Sequence, residues 1–246
     1  MKKQKKKKLY ETYHGNRKLQ KHIISDNNFT YREIIKLFKE YSDQYTSVLD
    51  IGSGVGTIGF YLASKGKKVT GIEISKNAVK IAKANAKSFE LDKNINFINA
   101  EFPHKVHREN YDLVIFSEVI EHLENDQQVL QDIRTVLKPG GLLIITTPSI
   151  SAPLYKMGLL TSFDKEVGHL RRYTEEELKT LVKENGYKII SVGQHEGIIK
   201  NFLFTNPIAG KFLRFVKWNF SDLISAIDSA TIPLFGASNI HLIAKK

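Results

Sequence analysis

The stretch FSEVIEHLEN, residues 116–125, sets carboxylates and a histidine directly behind an apolar run. Glu118, Glu121 and His122 share one face at helical spacing, where like charges repel unless something offsets them. A divalent cation would do so, since carboxylate and imidazole together suit Mg²⁺, Mn²⁺ or Zn²⁺. A further ligand is on offer in GHLRRYT, where His169 follows the fifth strand of the pattern below. The candidate metal set is therefore Glu118, Glu121, His122 and His169. A competing reading has Ser117 and Glu118 lining a ligand site and the other acids gathered at a helix start, where the dipole favours them. In that case His122 or His169 serves as general base. Both readings stay open.

A second group lies upstream. VLDIGSGVGTIGFYLA places Gly52, Gly54 and Gly56 between an apolar run and a helical pattern, with Asp50 just before them. Glycines there permit a tight turn and close approach of a ligand to the backbone. A dinucleotide loop has the spacing G-x-G-x-x-G, and Thr57 stands where its third glycine belongs. G-x-G-x-G behind Asp50 suits a nucleoside with a short polar tail better than a pyrophosphate. Glu73 closes the next strand about twenty residues on, the position from which a carboxylate accepts ribose hydroxyls. Ala100 and Glu101 close the third strand, placed for the exocyclic amine of an adenine.

These groups need a frame. FTYREIIKLFKEYS has apolar residues at helical spacing. Short β-branched runs then alternate with helical ones: SVLDIGSG, KKVTGIEIS, NINFINAE, YDLVIFSE and LLIITTP read as strands one to five. SKNAVKIAKANAKSF is a helix capped by Ser75, NDQQVLQDIRTVL a helix capped at Asn125 and stopped by KPGG. TEEELKTLVKENG carries a capping box in Thr174 and Glu177 and exits at Gly186. YKIISVG and SNIHLIAKK are strands six and seven. Such alternation implies α/β architecture with a mostly parallel sheet, and ligands then sit at the carboxyl ends of the strands.

The motifs VLDIGSGVG, GIEIS, NAE, YDLVIFSEVIEHL and LKPGGLLIITTP, in this order, closely resemble the class I S-adenosylmethionine-dependent methyltransferases. The resemblance covers about 48–148 and extends through GHLRRYTEEEL and YKII to about 192. It implies a Rossmann-like fold of seven strands in the order 3-2-1-4-5-7-6 with the last antiparallel. It further implies that Asp50, Gly52, Ser53, Gly54 and Gly56 hold the methionine part of the cofactor, Glu73 the ribose and Glu101 the adenine. E-x-x-E-H with a later histidine is similar to the methyltransferases of small-RNA 3′ ends and to the ubiquinone-pathway O-methyltransferases. The residues beside His169 depart from the former.

The domain expected is 29–246, with 1–28 a basic tail and 198–237 a helical, aromatic insertion between strands six and seven. Over half of the net charge of +11 sits in the opening MKKQKKKK, a solvated tail or an anchor for acidic surfaces. In 211–227, Leu213, Val216, Phe220, Leu223 and Ile227 share a helical face. That face either packs over the substrate end of the sheet or meets a membrane and admits a lipid-linked acceptor. The chain has no cysteine, which excludes disulfides and thiolate chemistry and fits the cytoplasm, with peripheral membrane contact as an addition.

The function expected is O-methylation of a small-molecule or lipid- or glycan-linked acceptor. RNA methylation at the same site is an alternative, with the lysine-rich tip as footprint. So are an NAD-dependent oxidoreductase and a non-catalytic adenosine-ligand sensor. Arg171 and Arg172 either hold a substrate phosphate or carboxylate or are solvated charges or partners of the nearby Glu175 and Glu176. His14, His104 and His107 are expected at the surface.

Overall fold

The computed structural model describes Glu11, residues 19–104, Val106, residues 110–206, Ala209 and residues 221–246. His14, His107 and the lysine-rich tip lie outside these residues, as does 211–220; His104 is exposed, as expected. Strands β1 (Ser47–Ile51), β2 (Lys68–Glu73), β3 (Ile95–Asn99), β4 (Tyr111–Ser117), β5 (Leu137–Pro148), β6 (Lys188–His195) and β7 (Asn239–Lys245) form one sheet. Its order is β3-β2-β1-β4-β5-β7-β6. Pairings are parallel from β3 to β5, and β7 runs antiparallel to both β5 and β6. This is the order and the antiparallel last strand that the sequence implied.

Period-two alternation loads both faces of the central strands. Along β4, Leu113 and Ile115 join one core, packed under helices α1 (Arg32–Glu40), α2 (Thr57–Ser64) and α3 (Lys76–Ser88). Val114 and Phe116 join the other, packed on α4 (Asp126–Val136) and on Glu175–Glu184, the seventh helix in chain order. Burying each such side chain contributes roughly 1.5–3 kcal/mol. The expected caps are in place: Ser75 Oγ accepts from Ala78 N, Asn125 from Gln128 N, and Thr174 and Glu177 form the capping box.

Between α4 and the seventh helix lie the short α5 (Pro153–Lys156) and α6 (Thr161–Val167), which makes Glu175–Glu184 α7. The insertion between β6 and β7 contributes α8 (Ile198–Thr205) and α9 (Ser221–Phe235).

Three expectations need correction. KPGG does not separate α4 from β5: the strand starts at Leu137, and the register jumps from Tyr111↔Leu137 to Leu113↔Leu142. Lys138–Gly141 therefore bulges, with Gly140 at φ 74°, a conformation glycine takes without a Cβ clash. Residues 19–28 lie against the domain rather than in a tail: Ile23 and Ile24 pack on the first core, and Tyr61 Oη donates to Asp26. Of the two placements open for the apolar face of 211–227, packing over the sheet is not met by its described part: Leu223 and Ile227 point outward, 58% and 49% exposed, while Ser225 and Asp228 of α9 are buried. Asp228 turns inward because its carboxylate accepts from Gly197 N and Lys200 N, satisfying donors that open α8.

Candidate active site

The carboxyl ends of β1–β6 open into one cavity of about 670 Å³ that runs the width of the sheet. At the β1–β3 end, Gly52, Gly54 and Gly56 take φ 75°, 54° and 90°. A Cβ on Gly52 would lie 2.6 Å from Val119 Cγ2, and one on Gly56 would lie 2.5 Å from the Phe97 ring. Gly52 and Gly54 line the cavity with Ser53; Gly56 lies beneath them, where Phe60 and Phe97 close over it. The loop's N–H groups are spent inside the protein. Gly52 N and Ser53 N donate to Ile72 O, Gly56 N donates to Ser53 O, and Gly54 N donates to Glu73 Oε2. This is a turn built against the neighbouring strand β2, not a cradle of donors for a pyrophosphate.

The charges at this end are negative. Asp50 is 3% exposed, and burial with the nearby Glu73 pushes its carboxyl up to about 7. Glu73 Oε1 accepts from Ser75 N and Oε2 from Gly54 N, yet burial still holds it above the ordinary carboxylate range. Ser53 Oγ is buried without a hydrogen-bond partner. A cationic ligand with hydroxyls and an adenine suits this set: positive charge restores the carboxylates, and a polar group satisfies Ser53. Ala100 and Glu101 complete the wall.

Next along the rim, Glu118 leaves β4 at φ 55° and Ile120–His122 forms a single 3-10 turn. Glu118, Glu121 and His122 are thus held by a tight turn, not by the helix their spacing suggested. Thr146 Oγ1 donates to Glu118 Oε1 at 2.8 Å and, its proton so used, accepts from Ser117 Oγ at 2.7 Å. Two bonds dock the loop after α6 on this turn. Leu170 N donates to Glu121 O, and His122 Nδ1 donates to Gly168 O, at 2.9 and 3.0 Å. They bring His169 beside His122, with ring centroids 4.9 Å apart.

Glu121, His122 and His169 then present one ligand atom each, all within 4.8 Å of one another. Glu121 Oε1 lies 3.4 Å from His122 Nε2 and 3.9 Å from His169 Nε2. It is fully buried and makes no hydrogen bond; only Oε2 does, from Thr147 Oγ1. Both imidazoles spend Nδ1–H on oxygen acceptors, His169 on Asp164 Oδ1 at 2.9 Å, which leaves Nε2 to face Glu121. Burial holds His169 below its usual value and, with Glu118, lifts Glu121 well above its own. Three ligand atoms converge, each imidazole turning Nε2 toward the buried carboxylate oxygen. Of the four expected ligands, Glu118 stands outside this group.

The sequence profile of a family described as a methyltransferase domain matches residues 42–199, from just before β1 into α8. The chain belongs to this methyltransferase family. A ubiquinone biosynthesis O-methyltransferase of Rickettsia typhi is 28% identical over 218 residues, 85% of this chain and 84% of its own length. Among solved structures, a phosphoethanolamine N-methyltransferase of Haemonchus contortus in complex with S-adenosyl-L-methionine superposes with a TM-score of 0.68 at 20% identity. It covers 97% of this chain and 56% of that one. A SAM-dependent methyltransferase of Archaeoglobus fulgidus gives 0.59 at 19%, covering 87% and 94%. The expectation of a class I S-adenosylmethionine-dependent methyltransferase holds, and the oxidoreductase alternative finds no support.

Two features of the methyltransferase's cavity escaped the sequence reading. Arg171 and Arg172 are not a substrate clamp. Arg171 Nη1 donates to Asp126 Oδ2 at 2.5 Å, and Arg172 Nε and Nη2 hold both oxygens of Asp164. They are positioning groups: Arg172 keeps Asp164 ionised, and Asp164 orients His169. The far end of the cavity is also new. His195 and Glu196 at the end of β6, Asn201 and Phe204 of α8 and Asn239 of β7 line it. Their only sequence signal is position, since Glu196 follows a strand whose carboxyl end reaches the same rim.

Proposed function

We propose that this methyltransferase transfers the methyl group of S-adenosylmethionine to a hydroxyl of a small molecule, with a divalent cation held by Glu121, His122 and His169. The observation that carries the reading is Glu121 Oε1, buried, without a hydrogen bond, and facing two imidazole nitrogens. A cation held by these residues would supply positive charge that lowers the pKa of the acceptor hydroxyl. The chain's own residues do the rest. Asp164 and the Gly168 carbonyl fix the two rings. Asp50, Ser53, Glu73, Ala100 and Glu101 hold the methyl donor, with Gly52 and Gly54 keeping the turn and Gly56 its base. Ser117 and Glu118 stand between the two halves of the cavity. Alignment of the acceptor oxygen with the methyl is the main catalytic contribution, since the donor is already activated.

The relatives named as ubiquinone biosynthesis O-methyltransferases favour a phenolic acceptor bearing a lipid chain. An apolar surface on α9, with Leu223, Ile227, Leu234 and Phe235 exposed, supports meeting such an acceptor at a membrane surface. No described helix is long and apolar enough to cross a membrane. RNA is disfavoured because the two arginines nearest the triad are spent on Asp126 and Asp164. The test is methyl transfer from labelled S-adenosylmethionine to catechol with Mg²⁺ or Mn²⁺, and again after chelation. Transfer that survives chelation unchanged sinks the metal, and failure to bind S-adenosylhomocysteine sinks the enzyme.

A further inference from the structure

Backbone strain singles out one residue that the reading above does not use. Among the described residues, nine glycines take positive φ, and only three other residues do so: Glu90, Glu118 and Glu196. Glu90 is exposed in the turn after α3, whereas the other two line the cavity. The left-handed region disfavours any side chain with a Cβ, and glycine would relieve it. At Glu196, φ 63°, glycine is in fact the next residue along. A strained carboxylate kept at a cavity wall is the pattern in which the surroundings hold a residue for what its side chain does.

The surroundings do hold it. Glu196 O accepts from Ser238 N at 2.7 Å, and its Oε2 accepts from Asn239 Nδ2 at 2.9 Å. Backbone and side chain are thus both tied to the start of β7. Behind it, Asp228 fixes Gly197 and Lys200, so the turn from β6 into α8 cannot relax. Glu196 lines the cavity together with His195, Asn201 and Asn239, and His122 and His169 line the same cavity.

The cavity's charge points to what meets it there. The chain carries +11, but no lysine lines the cavity among the described residues, and its single arginine, Arg172, is committed to Asp164 and to Ser149 O. Glu33, Glu118 and Glu166 add acid to the same walls. An anionic acceptor would meet several carboxylates that repel it; of the nearby cations Arg172 is committed to Asp164, and Lys200, buried over the Phe29 ring, offsets only part of the negative charge at Glu196. A hydroxyl or ammonium group would find an acceptor oxygen already aimed at it.

We propose that Glu196 determines acceptor specificity: it accepts a hydrogen bond from a hydroxyl or ammonium group at one end of the acceptor while the reacting hydroxyl lies at the triad. The acceptor class is then a neutral or cationic polar small molecule, not a phosphate or carboxylate. This rests on the O-methyltransferase reading. Burial and the nearby Glu118 push Glu196 up to about 8, so near neutral pH it both donates and accepts, and a bound ammonium draws its proton off.

Three o-diol probes differing in charge test it on the full chain saturated with S-adenosylhomocysteine and Mg²⁺: catechol, dopamine and 3,4-dihydroxybenzoate. Dissociation constants come from calorimetry on that complex, and kcat and KM from methyl transfer with S-adenosylmethionine in place of S-adenosylhomocysteine. The wild type is expected to bind dopamine ~10-fold more tightly than dihydroxybenzoate. Glu196→Gln keeps an oxygen for Asn239 but cannot ionise beside a bound ammonium. It should bring that ratio to within ~3-fold of unity through KM, leaving kcat and S-adenosylhomocysteine affinity unchanged. A ratio unchanged in Glu196→Gln, a wild type that prefers dihydroxybenzoate, or no binding of any probe at millimolar concentration overturns the proposal. Loss of S-adenosylhomocysteine binding in the wild type itself would instead remove the underlying enzyme reading, and the proposal with it.

Discussion

The two ends of the cavity are built by different means. At the β1–β3 end a contiguous loop, Gly52 to Gly56, folds its N–H groups back onto Ile72, Glu73 and Ser53. The shape there is backbone, and side chains enter only as single residues closing single strands. At the β4–β6 end the wall is almost all side chain, gathered from a 3-10 turn, the loop after α6, the end of β6, α8 and β7. A backbone site is fixed by local sequence. A side-chain site is fixed by which loops the sheet order brings together.

The largest expected effect breaks the first end alone. Gly56→Val should weaken S-adenosylhomocysteine binding ~100-fold, because the new Cβ would press on the Phe97 and Phe60 rings at a positive φ. Mn²⁺ binding at the triad should persist, and calorimetry with each ligand separates the two. A next, comparable effect breaks only the second end. His169→Ala should lower the rate of methyl transfer ~100-fold while S-adenosylhomocysteine affinity stays within ~2-fold. A parallel loss of cofactor affinity would show that the ends are not independent.

The smallest effect concerns stability and pH. Asp50 lies at about 7 and Glu196 at about 8, both raised by burial. Each keeps in the folded state a proton that an unfolded carboxyl has already released. Their stabilising contribution is full below the ordinary carboxyl range and is lost as pH rises through 7–8. His195, held down to about 3, works in the opposite sense, its contribution being lost as pH falls below the usual imidazole value. The Tm of the ligand-free protein should therefore peak in mild acid and decline toward pH 9. Asp50→Asn should flatten that decline, as should S-adenosylhomocysteine in the intact protein. A flat profile from pH 6 to 9 in the intact protein contradicts the burial argument for Asp50.

The same contrast governs what the sequence disclosed. The alternating strands and helices and the capping residues Ser75, Asn125 and Thr174 were readable because period, caps and glycines are local signals, whereas the strand order came with the family resemblance. So were Glu73 and Glu101, each named by closing its strand. His169 was readable as well, since two hydrogen bonds between its loop and the Ile120–His122 turn complete what the E-x-x-E-H spacing suggested. Glu196 was not, because its role depends on β6 ending at the same rim across β7, a fact of topology. The outward turn of Leu223 and Ile227 was hidden for a related reason. Their helix is oriented by Asp228 capping a helix start 31 residues away, and polar capping overrode the apolar period. Arg171 and Arg172 were misjudged because their partners, Asp126 and Asp164, are 45 and 8 residues distant. Neither lies on the helix whose acids stood nearest in sequence.

The central claim is that Glu121, His122 and His169 converge on a cation, and Mn²⁺ calorimetry in the presence of S-adenosylhomocysteine tests it most directly. One ion should bind per chain, more weakly as pH falls, because protons compete for the imidazoles and for Glu121, which burial holds above its ordinary range. Glu121→Gln should abolish the binding. Absence of binding in the intact protein, or equal binding in Glu121→Gln, would contradict the account and leave the triad as a proton-sharing cluster.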